Sequence, residues 1–318
     1  MTAFALKHVV ESQQFDRQLL ESVFRTADEM KKDLYGERRL AKVLDGKIMA
    51  SLFYEPSTRT RFSFESAMRR LGGDVITTEN AREFSSAAKG ESLSDSTRIM
   101  NGYADIIVMR HNEAGSAVRA AEISTIPIIN AGDGAGQHPT QALLDIYTIV
   151  DAFPEMNNLK IALVGDLRYG RTVRSLSYLL SKYENMEIIF VSPPVCKMES
   201  DIKAYLDKYD VPWREETDLA DVAREADCVY MTRIQKERFH SVDDYQEAAS
   251  KYILSLEIVR EMKADAIIMH PLPRVDEIPP EVDEAPQARY FEQAQNGLYI
   301  RMALLYLLLK NDQHPVFV

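Results

Sequence analysis

Cysteine and tryptophan are scarce in this chain, basic residues are outnumbered, and no apolar run is long. Two cysteines, Cys196 and Cys228, in 318 residues argue against a disulfide framework, and no C-x-x-C spacing offers a metal site. Both lie among apolar neighbours and read as buried thiols in a reducing compartment. The longest apolar stretch, Met302 to Leu309, falls far short of the roughly 20 residues that a membrane helix needs. The opening MTAFALKHVVESQQFDRQ lacks the apolar segment of a signal peptide and carries acids that transit peptides avoid. These absences point to a cytoplasmic protein with no membrane partner. Lys and Arg number 38 against 49 Asp and Glu, a net charge of −11. Such acidity argues against nucleic-acid or anionic-membrane binding. A small anion remains admissible wherever a few arginines converge.

What is present is a regular alternation. Short apolar runs at Lys47–Phe53, Asp105–Met109, Ile126–Ile129, Lys160–Gly165, Glu187–Val191, Cys228–Met231 and Ala266–Met269 read as buried strands. Helical stretches such as Arg59–Leu71, Ser92–Tyr103, Ala142–Ala152, Thr172–Tyr183 and Asp218–Glu225 lie between them. Strand and helix in turn predict an α/β fold with parallel sheets, whose strands read as continuous apolar runs because both faces are covered. The length fits two domains at roughly 100–200 residues each. A boundary is expected in Asp151–Leu159, which holds Pro154 and two asparagines, giving domains of 1–150 and 151–296. Arg274–Arg289, rich in proline and acid, reads as a loop, and Gly297–Lys310 as a helix.

In open parallel sheets, ligands gather beyond the carboxyl ends of the strands. The run Glu55-Pro56-Ser57-Thr58-Arg59-Thr60-Arg61 follows the first strand and opens a helix. Ser57 or Thr58 suits the N-cap, and hydroxyls plus guanidinium at a helix N-terminus make an anion cradle. Arg110 ends the strand at 105–109. Asn130-Ala131-Gly132-Asp133-Gly134-Ala135-Gly136-Gln137-His138-Pro139-Thr140-Gln141 places His138 and Gln141 at a helix start. There the helix dipole favours a neutral imidazole able to donate to a carbonyl oxygen. Val164-Gly165-Asp166-Leu167-Arg168-Tyr169-Gly170-Arg171-Thr172 nearly fits a P-loop, but Arg171 stands where a lysine belongs, and the two are not interchangeable between phosphates. A guanidinium at a helix start suits a carboxylate instead. Thr232, Arg233 and Gln235 offer further anion contacts. After the strand at 266–269 comes His270-Pro271-Leu272-Pro273, whose prolines leave backbone carbonyls to be presented. No nucleophile motif and no metal-ligand cluster stands out. That set suits direct transfer between two anionic substrates by positioning and by polarising a carbonyl.

Together these motifs resemble the aspartate and ornithine carbamoyltransferase family. Ser57–Arg61 (STRTR) and His138–Gln141 (HPTQ) are similar to its shared carbamoyl-phosphate signatures. Val164–Thr172, Met231–Arg238 (MTRIQKER) and His270–Ile278 (HPLPRVDEI) are closer to the aspartate branch, since the ornithine branch is expected to show H-C-L-P where His270–Pro273 stands. The resemblance implies two α/β domains with the active site in the cleft between them, and a C-terminal helix, 297–318, joining the first domain. It implies that Ser57, Thr58, Arg59, Thr60 and Arg110 hold the phosphate of carbamoyl phosphate. Thr60, Arg110 and His138 would contact the carbonyl oxygen. Gln141 and the carbonyls of Pro271 and Leu272 would take the amine. Arg171, Arg233 and Gln235 would bind the carboxylates of L-aspartate. Ser85, with Ser86 beside it, and Lys89 match loop residues that enter a neighbouring chain's site in a homotrimer. The implied product, N-carbamoyl-L-aspartate, belongs to an early step of pyrimidine biosynthesis. No metal or organic cofactor is implied, and regulatory chains or a partner enzyme are left open. The alternatives are a carbamoyltransferase for another amino acid such as ornithine and, more remotely, a nucleotide-binding module using Gly165–Thr172.

Overall fold

The apolar runs at 47–53, 105–109 and 126–129 become three strands of one parallel sheet, and the four later runs become four strands of a second. The computed structural model describes residues 4–84, 89–234 and 241–310. Two compact units result, residues 1–143 together with 297–318, and residues 144–296.

The first unit runs α1 (Arg17–Tyr35), β1 (Ile48–Phe53), α2 (Thr58–Arg70), β2 (Asp74–Glu79), α3 (Ala81–Phe84), α4 (Leu93–Met100), β3 (Ile106–His111), α5 (Ser116–Ile123), β4 (Ile128–Asp133) and the start of α6 (Pro139–Ala152). Strand order is β2-β1-β3-β4, all parallel. Asp16 caps α1 by accepting the Leu19 N–H at 2.8 Å, and Ser92 caps α4 by accepting from Asp95. Each satisfies an N–H that the helix itself cannot.

The second unit contains β5 (Lys160–Val164), α7 (Arg171–Leu180), β6 (Glu187–Val191), α8 (Ser200–Lys208), β7 (Trp213–Glu216), α9 (Leu219–Glu225), β8 (Cys228–Met231), α10 (Val242–Lys251), α11 (Leu256–Glu261), β9 (Ile267–Met269) and the start of α12 (Tyr290–Leu309). Its order is β7-β6-β5-β8-β9, again all parallel. Ala162, Val164, Ile189, Val191, Val229 and Ile268 are fully buried in its core.

By their contacts the units divide inside α6, at 143/144, and inside α12, at 296/297. The reason is polar. Beyond Leu143, α6 carries Asp145, which accepts from Tyr230 of β8, and Thr148, whose hydroxyl accepts from Asn296 of α12.

Each sheet reverses its strand order once. In the first, β1 has β2 on one side and β3 on the other. In the second, β5 lies between β6 and β8. The connections leaving two neighbouring strands in opposite directions open a crevice at their carboxyl ends. The crevice between β1 and β3 faces the Ser57–Arg61 turn and Arg110, and that between β5 and β8 faces the Gly165–Arg171 turn and Arg233.

Candidate active site

Ser57 is the N-cap position of α2, and its hydroxyl makes no capping bond. Ser57 is half-buried, Thr58 and Arg59 are exposed, and Thr60 is buried. The two arginines of this turn differ. Arg61 pairs with Glu65 and, at 2.8 Å, with Glu79, while the Glu65 carboxylate also accepts from Ser51 and Thr77. It is therefore part of the scaffold. Arg59 has no carboxylate partner among the described residues, and partial burial lowers its guanidinium pKa. An arginine in the first turn of a helix and without a carboxylate partner is arranged for an incoming anion.

Arg110 stands beside this turn because β1 and β3 pair Phe53 with Arg110. Its guanidinium donates to the Ala131 carbonyl at 3.3 Å and lies 3.5 Å from the Glu55 carboxylate, so β4 and the turn after β1 aim it. His138 is buried, with Nδ1 3.5 Å from the Thr140 hydroxyl. Gln141 is half-buried one turn along.

The loop that delivers His138 is built by residues the motif reading passed over. Asp133 accepts the Gln137 N–H and the Gly115 N–H, both at 2.7 Å. The Gln137 side chain accepts the Ser12 N–H at 2.8 Å and donates to Gln13 at 2.7 Å. Gly134 has φ +51°, and a Cβ there would lie 2.5 Å from the Asn112 carbonyl oxygen, so the turn needs glycine. An Asp flanked by glycines in a turn is the one trace of this in the sequence.

In the second unit, Arg171 opens α7 and Arg233 follows β8. They occupy neighbouring strand ends because Val164 pairs with Met231. Gly165 adopts φ +112°, and a Cβ there would fall 2.2 Å from the Thr232 carbonyl oxygen. The Gly165–Gly170 turn is not a phosphate cradle. Gly165 N–H donates to Val191, Leu167 and Arg168 N–H to Cys196, and Tyr169 N–H to the Asp166 carboxylate. Thr232 also differs from expectation as an anion contact, because its buried hydroxyl donates to the Val164 carbonyl at 2.8 Å. Arg233 is exposed.

The Pro271 and Leu272 carbonyls sit in a fixed loop. His270 Nδ1 accepts the Leu272 N–H at 2.7 Å, and Nε2 donates to Glu277 at 2.8 Å. The Leu272–Pro273 bond is cis and Leu272 has φ +53°. Lys89 is exposed, while Ser85 and Gln235 lie outside the described residues. Among the described residues no group of three or more His, Cys, Asp or Glu is placed to hold a metal ion, and no helix is long and apolar enough to cross a membrane.

Family profiles match both halves: "Aspartate/ornithine carbamoyltransferase, carbamoyl-P binding domain" over residues 7–151, and "Aspartate/ornithine carbamoyltransferase, Asp/Orn binding domain" over 157–308. The chain belongs to the aspartate/ornithine carbamoyltransferase family. Within that family it is 59% identical to aspartate carbamoyltransferase 2, chloroplastic, of Pisum sativum, over 96% of this chain and 80% of the relative. It is 48% identical to the aspartate carbamoyltransferase catalytic subunit of Methanocaldococcus jannaschii, over 97% and 99%. The solved catalytic subunit of the M. jannaschii aspartate transcarbamoylase superposes with a TM-score of 0.91 at 47% identity, covering 98% of this chain and 100% of that one. A Trypanosoma cruzi aspartate transcarbamoylase solved with N-(phosphonacetyl)-L-aspartic acid superposes with a TM-score of 0.89 at 37% identity, covering 95% and 96%. The family's two-domain α/β fold is the one seen here, a parallel sheet flanked by helices in each unit.

Proposed function

We propose that this chain is an enzyme that transfers the carbamoyl group of carbamoyl phosphate to the α-amine of L-aspartate, giving N-carbamoyl-L-aspartate and inorganic phosphate, a step of pyrimidine synthesis. One observation carries the choice of amino acid. Arg171 and Arg233 leave neighbouring strands at the β5/β8 crevice, two cations for the two carboxylates of a dicarboxylic acid. Ornithine would bring a side-chain ammonium to the same place. The names of the relatives support the same choice, as does a T. cruzi aspartate transcarbamoylase solved with carbamoyl phosphate and aspartate.

Ser57, Thr58, Arg59, Thr60 and Arg110 take the phosphate. Thr60, Arg110 and His138 donate to the carbamoyl oxygen, and Gln141 with the Pro271 and Leu272 carbonyls takes the amine. Arg171, Arg233 and Gln235 hold the aspartate. The amine lone pair attacks the carbamoyl carbon, and negative charge grows on its oxygen. The carbon–oxygen bond to phosphate then breaks, phosphate leaves with the bonding pair, and the nitrogen loses a proton. Donors already aimed at that oxygen stabilise the charge without reorganising. The chain works as a homotrimer in which Ser85 and Lys89 serve the neighbouring site. Cys196 and Cys228 are buried and form no disulfide, which favours a reducing compartment such as the cytoplasm.

The test is carbamoyl-group transfer from carbamoyl phosphate, measured by colour assay with L-aspartate and with L-ornithine. Turnover with aspartate and none with ornithine is expected. Comparable turnover with ornithine would overturn the assignment.

A further inference from the structure

Behind the second unit's strand ends lies a buried hydrogen-bond chain that reaches a proposed substrate contact only through the Leu272 backbone. Asp145 is completely buried on α6, one turn beyond Gln141. One carboxylate oxygen accepts from the Tyr230 hydroxyl at 2.8 Å, the other from the Gln293 side-chain amide at 2.6 Å. Both partners are themselves buried. Each leads to a different part of the site.

Tyr230 lies in β8, three residues before Arg233 beyond that strand's carboxyl end. The Gln293 carbonyl oxygen accepts the His270 N–H at 2.8 Å. The His270 ring then fixes Leu272 through Nδ1 and Glu277 through Nε2, and Glu277 accepts the Val275 N–H at 3.2 Å. One carboxylate thus ties the strand that leads to Arg233 to the loop that carries the Pro271 and Leu272 carbonyls.

Burying a carboxylate is costly, and an apolar residue would fill the space without that cost. A carboxylate has two acceptor oxygens and can serve two donors approaching from different sides. We propose that Asp145 is a positioning residue which, through Tyr230 of β8 and through Gln293–His270, holds the aspartate subsite and the carbamoyl-amine subsite in fixed register. The proposal rests on the carbamoyl transfer assigned above.

Two mild variants separate its arms. Tyr230→Phe removes the hydroxyl that links Asp145 to β8. Gln293→Met removes the amide that links Asp145 to the His270 N–H. Losing one buried hydrogen bond that sets geometry corresponds to about a tenfold change in a binding constant. Tyr230→Phe should raise the aspartate KM about tenfold and leave the carbamoyl-phosphate KM within about twofold. Gln293→Met should do the reverse. Because both arms hang on one carboxylate, the double variant should lose less in kcat/KM than the product of the single losses.

A purely structural role would lower the melting temperature and leave both KM values alone below it. Folded variants, verified by circular dichroism, with parental KM values for both substrates would overturn the proposal. So would strictly multiplicative losses in the double variant. The unmodified enzyme is assayed alongside. If it makes no carbamoyl aspartate, the assigned reaction fails and this proposal with it. If it does and the variants behave as the parent, only the positioning role fails.

Discussion

Arg59 and Arg61 stand two positions apart in one turn and do different work. Arg61 is engaged by Glu65 and Glu79, whereas Arg59 is left to partial desolvation. The sequence shows two arginines in a phosphate-type turn but not which carboxylates will fold back on them. His138 was legible from its place after a glycine-rich loop. Its supports, Asp133 and Gln137, were not, because their partners Gly115, Ser12 and Gln13 are distant in the chain. If His138 donates to the carbamoyl oxygen, His138→Ala should lower kcat by about 10²–10³ while carbamoyl-phosphate binding changes little. Steady-state rates with calorimetric binding decide it, and a near-normal kcat would remove His138 from the chemistry. A second histidine reports on stability. Burial, then the Lys7 charge, lowers the His8 imidazole from 6.5 to about 4, while its Nδ1 accepts the Ile128 N–H at 3.1 Å. Between those two values the unfolded chain binds the proton and the folded chain does not. The stability from neutral His8 is therefore present above about pH 6.5 and lost as pH falls towards about 4. His8→Asn keeps an acceptor without titrating. Its melting temperature should fall less than the parent's between about pH 7 and about pH 5, and parallel curves would contradict this.

At the scale of elements, legibility followed burial. The strands at 160–164, 187–191 and 228–231 were visible as apolar runs because helices cover both faces. The strands Asp74–Glu79 (DVITTE) and Trp213–Glu216 (WREE) were not, and both are edge strands. These two are largely solvated, so their residues are polar and their pairing comes from the neighbouring backbone. The amphipathic helix Arg17–Tyr35 also escaped the alternation of apolar runs, since its buried Leu20, Val23, Phe24, Ala27 and Met30 are spaced at helical intervals. The near-P-loop at Gly165–Thr172 shows the opposite case, a legible motif whose local spacing misleads. Its N–H groups serve Val191, Cys196 and Asp166, and its first glycine is there to let β8 approach. Gly165→Ala combines a left-handed φ of +112° with a 2.2 Å approach to the Thr232 carbonyl oxygen. It should destabilise the protein by roughly 2–4 kcal/mol or prevent folding. Denaturant unfolding measures this, and a loss under about 1 kcal/mol would show that the turn relaxes cheaply.

For the whole molecule, a net charge of −11 coexists with arginines collected at two crevices, so an acidic protein can still draw in two anions. The paired switch points were not readable from the sequence, because strand order depends on contacts between distant segments. The proposed trimer makes a demand that one chain alone cannot meet. Lys89→Ala and His138→Ala should each be nearly inactive. Unfolded together and refolded, verified mixed trimers should regain part of the activity, because a chain with His138 can receive Lys89 from its neighbour. Mixed trimers as inactive as their parents would show that Lys89 does not act across an interface. The central claim is that one new bond forms between the carbamoyl carbon and the aspartate nitrogen. Magnetic resonance can observe that bond with carbamoyl phosphate labelled at its carbon and L-aspartate labelled at its amine. A product with one-bond carbon–nitrogen coupling is expected, with one phosphate released per bond formed. Phosphate release without that coupling, or coupling only when labelled ornithine replaces aspartate, would contradict it.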